Sequence, residues 1–163
     1  MVAAGSALLS RSPIAKAEML VRKPAAVVFE AFVDPAITAQ FWFSRGSGTL
    51  IQGERVEWFW DMYQFSIPVD VKVVEPHARI VVEWADAVAP TTVEWRFTAR
   101  PDDTTFVSVT HAGFRGDGDS LVEQAVGSTE GFSFVLAGLK AYLEHGVRLN
   151  LVPDRFPDGL GAG

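Results

Sequence analysis

Cysteine is absent from the 163-residue chain. Its absence excludes disulfide bonds, zinc–thiolate sites and cysteine nucleophiles together, but it says little about the cellular compartment. Clusters of basic side chains are also missing, and the formal net charge is −6. Nucleic acid and anionic membrane surfaces are therefore not expected as partners, because both require a basic field. No run of about eighteen apolar residues occurs, so no membrane-spanning helix is expected either.

Sequence motifs for covalent, nucleotide and metal chemistry are lacking as well. The chain contains no G-x-S-x-G, Walker A or G-x-G-x-x-G sequence. Its histidines, His77, His111 and His145, are far apart and show neither HxH nor HExxH spacing. We therefore expect neither a metal site nor a cofactor.

The chain is instead rich in apolar residues, with 48% hydrophobic and 12% aromatic residues, including five Trp and twelve Phe. A chain of this length suits one compact domain that buries well over half of its unfolded surface. The short apolar patch at the start has no basic residue before it and does not resemble a secretory signal. We predict a cytoplasmic protein with a flexible arm (1–13), one domain (14–147) and a C-terminal tail (148–163).

Apolar periodicity predicts an α+β fold. Alternation over residues 14–23 predicts a first strand, and two short helices follow it in "AAVVFEAFVD" and "AITAQFW". From residue 46 to residue 114, short alternating segments, the first of them "SGTLIQ", are separated by turn signals such as "AVAP" and predict an antiparallel meander. The expected architecture is a curved sheet of about six to seven strands wrapped around one long C-terminal helix.

That long helix is predicted from "GFSFVLAGLKAYLEHG", in which apolar residues recur at helical spacing and form one face. Asp119 or Ser120 is expected to cap a helix that begins at "LVEQAV". Gly127 and Gly131 are expected to kink or divide the helix, and Gly146 to end it.

Strand alternation assigns side chains to the two faces of the sheet. Trp58 and Trp60 share the inner face, and Phe59 between them points outward. In the next strand, Val73 is predicted to face inward and Val74 outward. Most carboxylates fall on the outer face, where we expect solvated pairs with neighbouring basic side chains.

The motifs "KPAAVVFEAFVDPAITAQFW", "VVEPHARIVVEW", "THAGF" and "GFSFVLAGLKAYLEHG", in this order, resemble the helix-grip superfamily. This superfamily includes START lipid-transfer domains, polyketide cyclases and plant pathogenesis-related allergens. The closer resemblance is to the branch named for the activator of the heat-shock-protein-90 ATPase homologue, and it covers about residues 14–147. The chain departs from the branch at Phe132, where Trp is common, and in "HAGF", which lacks the hydroxyl of "HTGF" beside His111.

The resemblance and the many aromatic residues together favour an internal cavity between the sheet and the C-terminal helix. Ligand cavities are mostly apolar with a few polar anchors, and buried indole N–H groups need partners. The alternative is that the same residues simply fill the core. The predicted ligand-binding residues are Trp42, Trp58, Trp60, Val69, Trp84, Trp95, His111, Phe132 and Leu136.

His111 is the candidate for chemistry. A histidine that faces an apolar space can act as a general base or bind a polar ligand group. Its alternative role is structural, with the ring bonded to a neighbouring backbone carbonyl.

Three functions remain open on the sequence. The first is binding of a small hydrophobic or aromatic ligand, without catalysis. The second is a cyclase- or hydrolase-like enzyme in which His111 and Asp61 or a water move protons. The third is a protein-interaction module, either a co-chaperone-like stimulator of a chaperone ATPase or a homodimer whose sheet faces meet.

Overall fold

The protein consists of an antiparallel sheet packed on one long helix, in a computed structural model that describes residues 8–84 and 90–160. Residues 1–7 of the predicted arm, most of the "AVAP" turn and residues 161–163 of the tail lie outside the described residues. The elements are β1 (Ala15–Val21), α1 (Ala25–Val33), α2 (Pro35–Thr38), β2 (Arg45–Gly46), β3 (Arg55–Trp60), a 3-10 turn (Asp61–Tyr63), β4 (Phe65–Glu75), β5 (Arg79–Trp84), β6 (Thr91–Ala99), β7 (Thr105–Ala112), α3 (Gly118–His145) and α4 (Leu151–Arg155).

The strands form one seven-stranded sheet in the order β1-β7-β6-β5-β4-β3-β2. Every neighbouring pair is antiparallel, and β1 pairs with β7 so that Ala15 lies opposite His111. The predicted α+β meander with two short helices after β1 and a long helix at its end is confirmed. This arrangement is the helix-grip fold.

Hydrophobic burial holds the inner face of the sheet against α3. Trp58, Ile80 and Trp95 from the sheet and Leu136 and Leu139 from the helix are fully buried in one cluster. Burying a large apolar side chain stabilises a fold by about 1.5–3 kcal/mol. The inner face is therefore held chiefly by these contacts.

Helix α3 begins earlier than its sequence indicates. Asp117 is the N-cap, and its carboxylate accepts a hydrogen bond from the Ser120 backbone N–H at 2.8 Å. The prediction of a cap at Asp119 or Ser120 is wrong, because the helix already starts at Gly118. The helix continues undivided past Gly127 and Gly131 and ends at Gly146, whose φ of +67° suits a left-handed C-cap.

An irregularity in β4 reverses two side chains. Val71 lies opposite Val82, but Val73 lies opposite Val81 and Val74 opposite Ile80, so the register shifts by one residue. A bulge of this kind inverts the alternation beyond it. The prediction that Val73 faces inward and Val74 outward is therefore wrong, and Val74 packs against the core.

The predicted strand "SGTLIQ" is also wrong. The structure places only the two-residue β2 just before it, paired with β3. Leu50 is buried, and its backbone N–H bonds to the Val33 carbonyl at 3.1 Å. At Leu50 the segment is therefore bonded to the end of α1 and not to a neighbouring strand.

The C-terminal tail folds back over α3. The Tyr63 hydroxyl donates to the Val152 carbonyl in α4, and the Arg155 guanidinium pairs with Glu130 on α3. Phe156 meets the Tyr63 ring edge-on, with the centroids 6.1 Å apart. Among the helices of the described segments, none is both long and apolar enough to cross a membrane.

Two glycines of α3 are expected to respond differently to replacement by alanine. A Cβ at Gly131 meets no atom within 4 Å, whereas a Cβ at Gly138 lies 3.3 Å from Phe41. Gly131→Ala should raise the free energy of unfolding by about 0.8–1.0 kcal/mol, because alanine favours the helix. Gly138→Ala should gain less, since Phe41 must move. Urea unfolding measures both variants, and an equal or larger gain for Gly138→Ala would contradict the packing described.

Candidate functional site

A partly open pocket of about 240 Å³, here termed the cavity, lies between the inner face of the sheet, the middle of α3 and α4. The predicted site residues Trp42, Trp84, His111 and Phe132 line this cavity. The other lining residues are Gly127, Ser128, Gly131, Val135 and Val152. The exposed backbone of the two glycines lies on its rim.

Three aromatic rings form the walls of the cavity. Trp42 follows α2, Trp84 ends β5 and Phe132 projects from α3. Phe132 lies 5.6 Å from Trp42 and 5.9 Å from Trp84 between ring centroids, and the two indoles are 6.4 Å apart. Edge-on and tilted contacts of this kind are the preferred geometries of aromatic pairs. The rings thus support one another and give the cavity preformed walls.

The remaining predicted site residues lie in the packed core and do not line this cavity. Trp42 connects the two regions, because its ring contacts Trp58 at 5.0 Å and Trp60 at 6.0 Å between centroids. These two indoles support the cavity wall from behind. The predicted residues placed in the core are Trp58, Trp60, Val69, Trp95 and Leu136.

Two buried indole N–H groups, those of Trp84 and Trp95, have no hydrogen-bond partner in the described part of the chain. Their surroundings are rings: Trp84 packs on His111 and Phe132, and Trp95 packs on Phe32 and Phe132. Aromatic faces are weak acceptors for such groups. Both nitrogen atoms are almost completely inaccessible, so neither N–H is exposed to the cavity.

His111 is buried and held by two hydroxyl groups. Only 5% of its surface is exposed. Its Nδ1 atom lies 2.7 Å from Ser128 Oγ on α3, and its Nε2 atom lies 2.7 Å from Thr91 Oγ1 at the start of β6. The expected structural alternative, a bond to a backbone carbonyl, is replaced by this hydroxyl–imidazole–hydroxyl chain.

Burial also determines the charge of His111. It lowers the pKa of the imidazole from 6.5 to about 4, because a charged ring loses its hydration there. The ring is therefore neutral at pH 7 and carries one N–H. The cavity holds no positive charge at this position.

Sequence reasoning missed Ser128, Thr91 and Val152. A signal for Ser128 was present, because it lies one turn before Phe132 on the same face of α3 as Val135. Thr91 and Val152 are brought to the site by strand pairing and by the docking of α4, neither of which has a local sequence pattern.

Asp61, the predicted partner of His111 in catalysis, does not line the cavity. It is exposed and forms an ion pair with Arg45 at 3.2 Å. The Arg45 guanidinium also lies 3.8 Å from the centroid of the Phe59 ring, which explains how the outward Phe59 is covered.

The outer face carries the expected ion pairs. Glu94 contacts Arg79 at 2.9 Å and Arg96 at 2.7 Å, and Glu83 contacts Lys72 at 3.7 Å. Within residues 8–84 and 90–160, no group of His, Asp or Glu side chains is arranged to hold a metal ion. Charge is thus concentrated on the face opposite the cavity.

Residues 22–144 match the family described as Activator of Hsp90 ATPase homolog 1-like protein. The chain belongs to this family. Membership agrees with the branch inferred from the motifs. It also places β2 to β7 and nearly all of α3, and hence most of the cavity walls, within the family domain.

Solved structures share the fold along most of the chain. SSP2350 from Staphylococcus saprophyticus is 31% identical, with a TM-score of 0.71, over 84% of this chain and 96% of that one. DynU16, from the dynemicin biosynthetic locus, is 21% identical, with a TM-score of 0.69, over 83% of this chain and 48% of its own. The Aha1 dimer from Colwellia psychrerythraea is 16% identical, with a TM-score of 0.67, over 82% and 98%. A comparison with curated proteins finds no match.

The buried neutral His111 is expected to make stability depend on pH. Its pKa is about 4 when folded and about 6.5 when unfolded, so unfolding takes up a proton between these values. The contribution of the neutral, buried ring to the free energy of unfolding is complete above pH 6.5, decreases as the pH falls and is lost below pH 4. The difference between the two pKa values corresponds to about 3 kcal/mol of unfolding free energy. In chemical denaturation at pH 7 and pH 4, wild type should lose about that much more stability than His111→Gln.

Replacement of an exposed histidine, His77→Asn, provides the control for this measurement. Asparagine tolerates the positive φ of 62° at that position. An equal pH-dependence of stability in wild type and His111→Gln would show that His111 is not a buried neutral imidazole.

Proposed function

We propose that the protein binds a small hydrophobic or aromatic ligand in the cavity between the sheet and α3. The observation that carries the proposal is the cavity of about 240 Å³ with walls of Trp42, Trp84 and Phe132. For comparison, an apolar cavity of about 150 Å³ holds one benzene molecule. The volume suits a ligand of about two rings.

The lining favours an apolar ligand for a physical reason. Removing apolar surface from water contributes about 25 cal/mol per Å², and the aromatic walls offer edge and tilted contacts to another ring. Ligand sites typically combine such walls with few polar groups. Here the polar side chains of the lining, apart from the indole N–H groups of Trp42 and Trp84, are His111 and Ser128.

Binding is favoured over catalysis by the state of His111. A general base works best when its pKa lies near the working pH, and burial lowers this pKa to about 4. Asp61 is paired with Arg45 outside the cavity and supplies no second proton acceptor there. We therefore favour ligand binding over catalysis as the role of the cavity.

Self-association is a second candidate, supported by an apolar strip on α3. Val122 and Val126 lie one helical turn apart and are 44% and 62% exposed. Exposed apolar surface often marks an interface, and the Aha1 neighbour from Colwellia psychrerythraea is described as a dimer.

Light scattering across a dilution series should show a dimer that Val126→Lys dissociates; a monomer at every concentration would contradict this candidate.

Filling the cavity is expected to weaken ligand binding. Gly131 lines the cavity, and the space beside its Cα is free, so Gly131→Leu adds a side chain there without displacing the core. The variant should fold at least as stably as wild type and bind 2-naphthol at least about tenfold more weakly, since the side chain occupies ligand volume. Calorimetric titration measures both affinities.

Ser133→Leu is the matched control, because Ser133 is exposed on the same helix and does not line the cavity. This variant should bind 2-naphthol as wild type does. Unchanged affinity in Gly131→Leu, or a loss of affinity in Ser133→Leu alone, would place binding elsewhere.

A further inference from the structure

Ser128 differs from the other hydroxyl-bearing residues in the middle of α3. The hydroxyls of Thr129 and Ser133 donate to backbone carbonyls one turn earlier in the same helix. Ser128 lies on the cavity wall, and its Oγ atom lies 2.7 Å from Nδ1 of His111. Its side chain is thus directed across the helix–sheet interface.

The chain from Ser128 through His111 to Thr91 has two possible proton arrangements. The neutral ring carries one N–H, and each hydroxyl can donate one hydrogen bond and accept two. In the first arrangement, Ser128 donates to Nδ1, and Nε2–H donates to Thr91. In the second, Thr91 donates to Nε2, and Nδ1–H donates to Ser128.

Each arrangement leaves Ser128 able to form a different additional hydrogen bond. In the first, the Ser128 oxygen can still accept a hydrogen bond, as from a ligand hydroxyl. In the second, its O–H is free to donate, as to a ligand carbonyl. Ser128 can therefore serve a ligand group of either kind, with no change in the heavy-atom positions.

The cavity offers no partner for a charged ligand. No Lys, Arg, Asp or Glu side chain lines it within the described residues, and His111 is uncharged at neutral pH. An ionised group placed there loses its hydration without compensation, which is far more costly than burying a neutral polar group. Charged aromatic molecules are therefore expected to bind more weakly than neutral ones of the same shape.

We propose that the cavity takes a neutral aromatic molecule of about two rings with one hydroxyl or carbonyl group, and that Ser128 is the hydrogen-bonding partner of this group. The inference deepens, and rests on, the ligand-binding function proposed above. Within it, Ser128 touches the ligand, and His111 and Thr91 are positioning residues that determine which way the Ser128 hydroxyl points.

The test is a set of NMR titrations of the ¹⁵N-labelled full chain with naphthalene, 2-naphthol, 1-tetralone and 2-naphthoate. One net hydrogen bond should make 2-naphthol and 1-tetralone bind roughly two- to tenfold more tightly than naphthalene. The carboxylate of 2-naphthoate should make it bind at least about tenfold more weakly than naphthalene.

Variants of Ser128 separate the anchor from the cavity. In Ser128→Ala, 2-naphthol should lose its advantage over naphthalene, while the affinity for naphthalene stays the same. Ser128→Thr should retain the advantage because it keeps the hydroxyl, and Ser133→Ala is the matched control. The amide spectrum of each variant reports whether it remains folded.

The titrations distinguish a wrong role for Ser128, a wrong ligand class and a wrong ligand-binding function. If 2-naphthol keeps its advantage in folded Ser128→Ala, the role of Ser128 is wrong and ligand binding stands. If 2-naphthoate binds most tightly, the neutral class is wrong. If none of the three neutral compounds binds wild type, the ligand-binding function itself fails.

Thr91→Val tests the positioning role. Without an acceptor beside Nε2, the ring should keep its proton on Nδ1, because an unpaired buried N–H is costlier than an unpaired acceptor. Ser128 is then free to donate, so the ratio of affinities should shift at least about twofold toward 1-tetralone over 2-naphthol. The imidazole ¹⁵N shifts report the tautomer, and an unchanged tautomer and ratio would overturn the role of Thr91.

Discussion

Burial of the sheet's inner face against α3 organises both the core and the cavity. Where the helix carries Leu136 and Leu139, the space between helix and sheet is filled, and both residues are fully buried. About one to three turns earlier, Gly127 and Gly131 offer no side chains, and a Cβ at either would meet no neighbouring atom. The cavity lies at this unfilled part of the interface. The same helix thus closes the core at one end and leaves a ligand-sized space nearby.

The electrostatic arrangement follows from the same burial. Charged side chains are paired on the outer face and around its edges, where water screens them. Inside, the His111 ring is uncharged, and two hydroxyl groups form hydrogen bonds with its ring nitrogens. The interior is aromatic and neutral, and its hydroxyl groups can donate or accept a hydrogen bond, which is the basis of the proposed preference for uncharged ring systems.

The sequence predicted the fold well, because strand alternation and helical spacing are strong and continuous along the chain. It placed Val73 and Val74 on the wrong faces, since the bulge in β4 adds a residue without a compositional signal.

The site was harder to predict than the fold. Inward parity identifies both Trp84, on the cavity wall, and Trp95, in the solid core, but parity does not report how far the helix lies from each strand. Thr91 and Val152 reach the site only through tertiary contacts. The helical pattern could have placed Ser128 on the inner face of α3, but a lone hydroxyl on an apolar face does not reveal its histidine partner.

A crystal structure with 6-bromo-2-naphthol, using the anomalous signal of bromine, would locate the ligand directly. We expect one bromine site between Trp42, Trp84 and Phe132, with the naphthol oxygen within hydrogen-bonding distance of Ser128 Oγ. A bromine site only on the outer face or the molecular surface, with the cavity unchanged at saturating ligand, would contradict it.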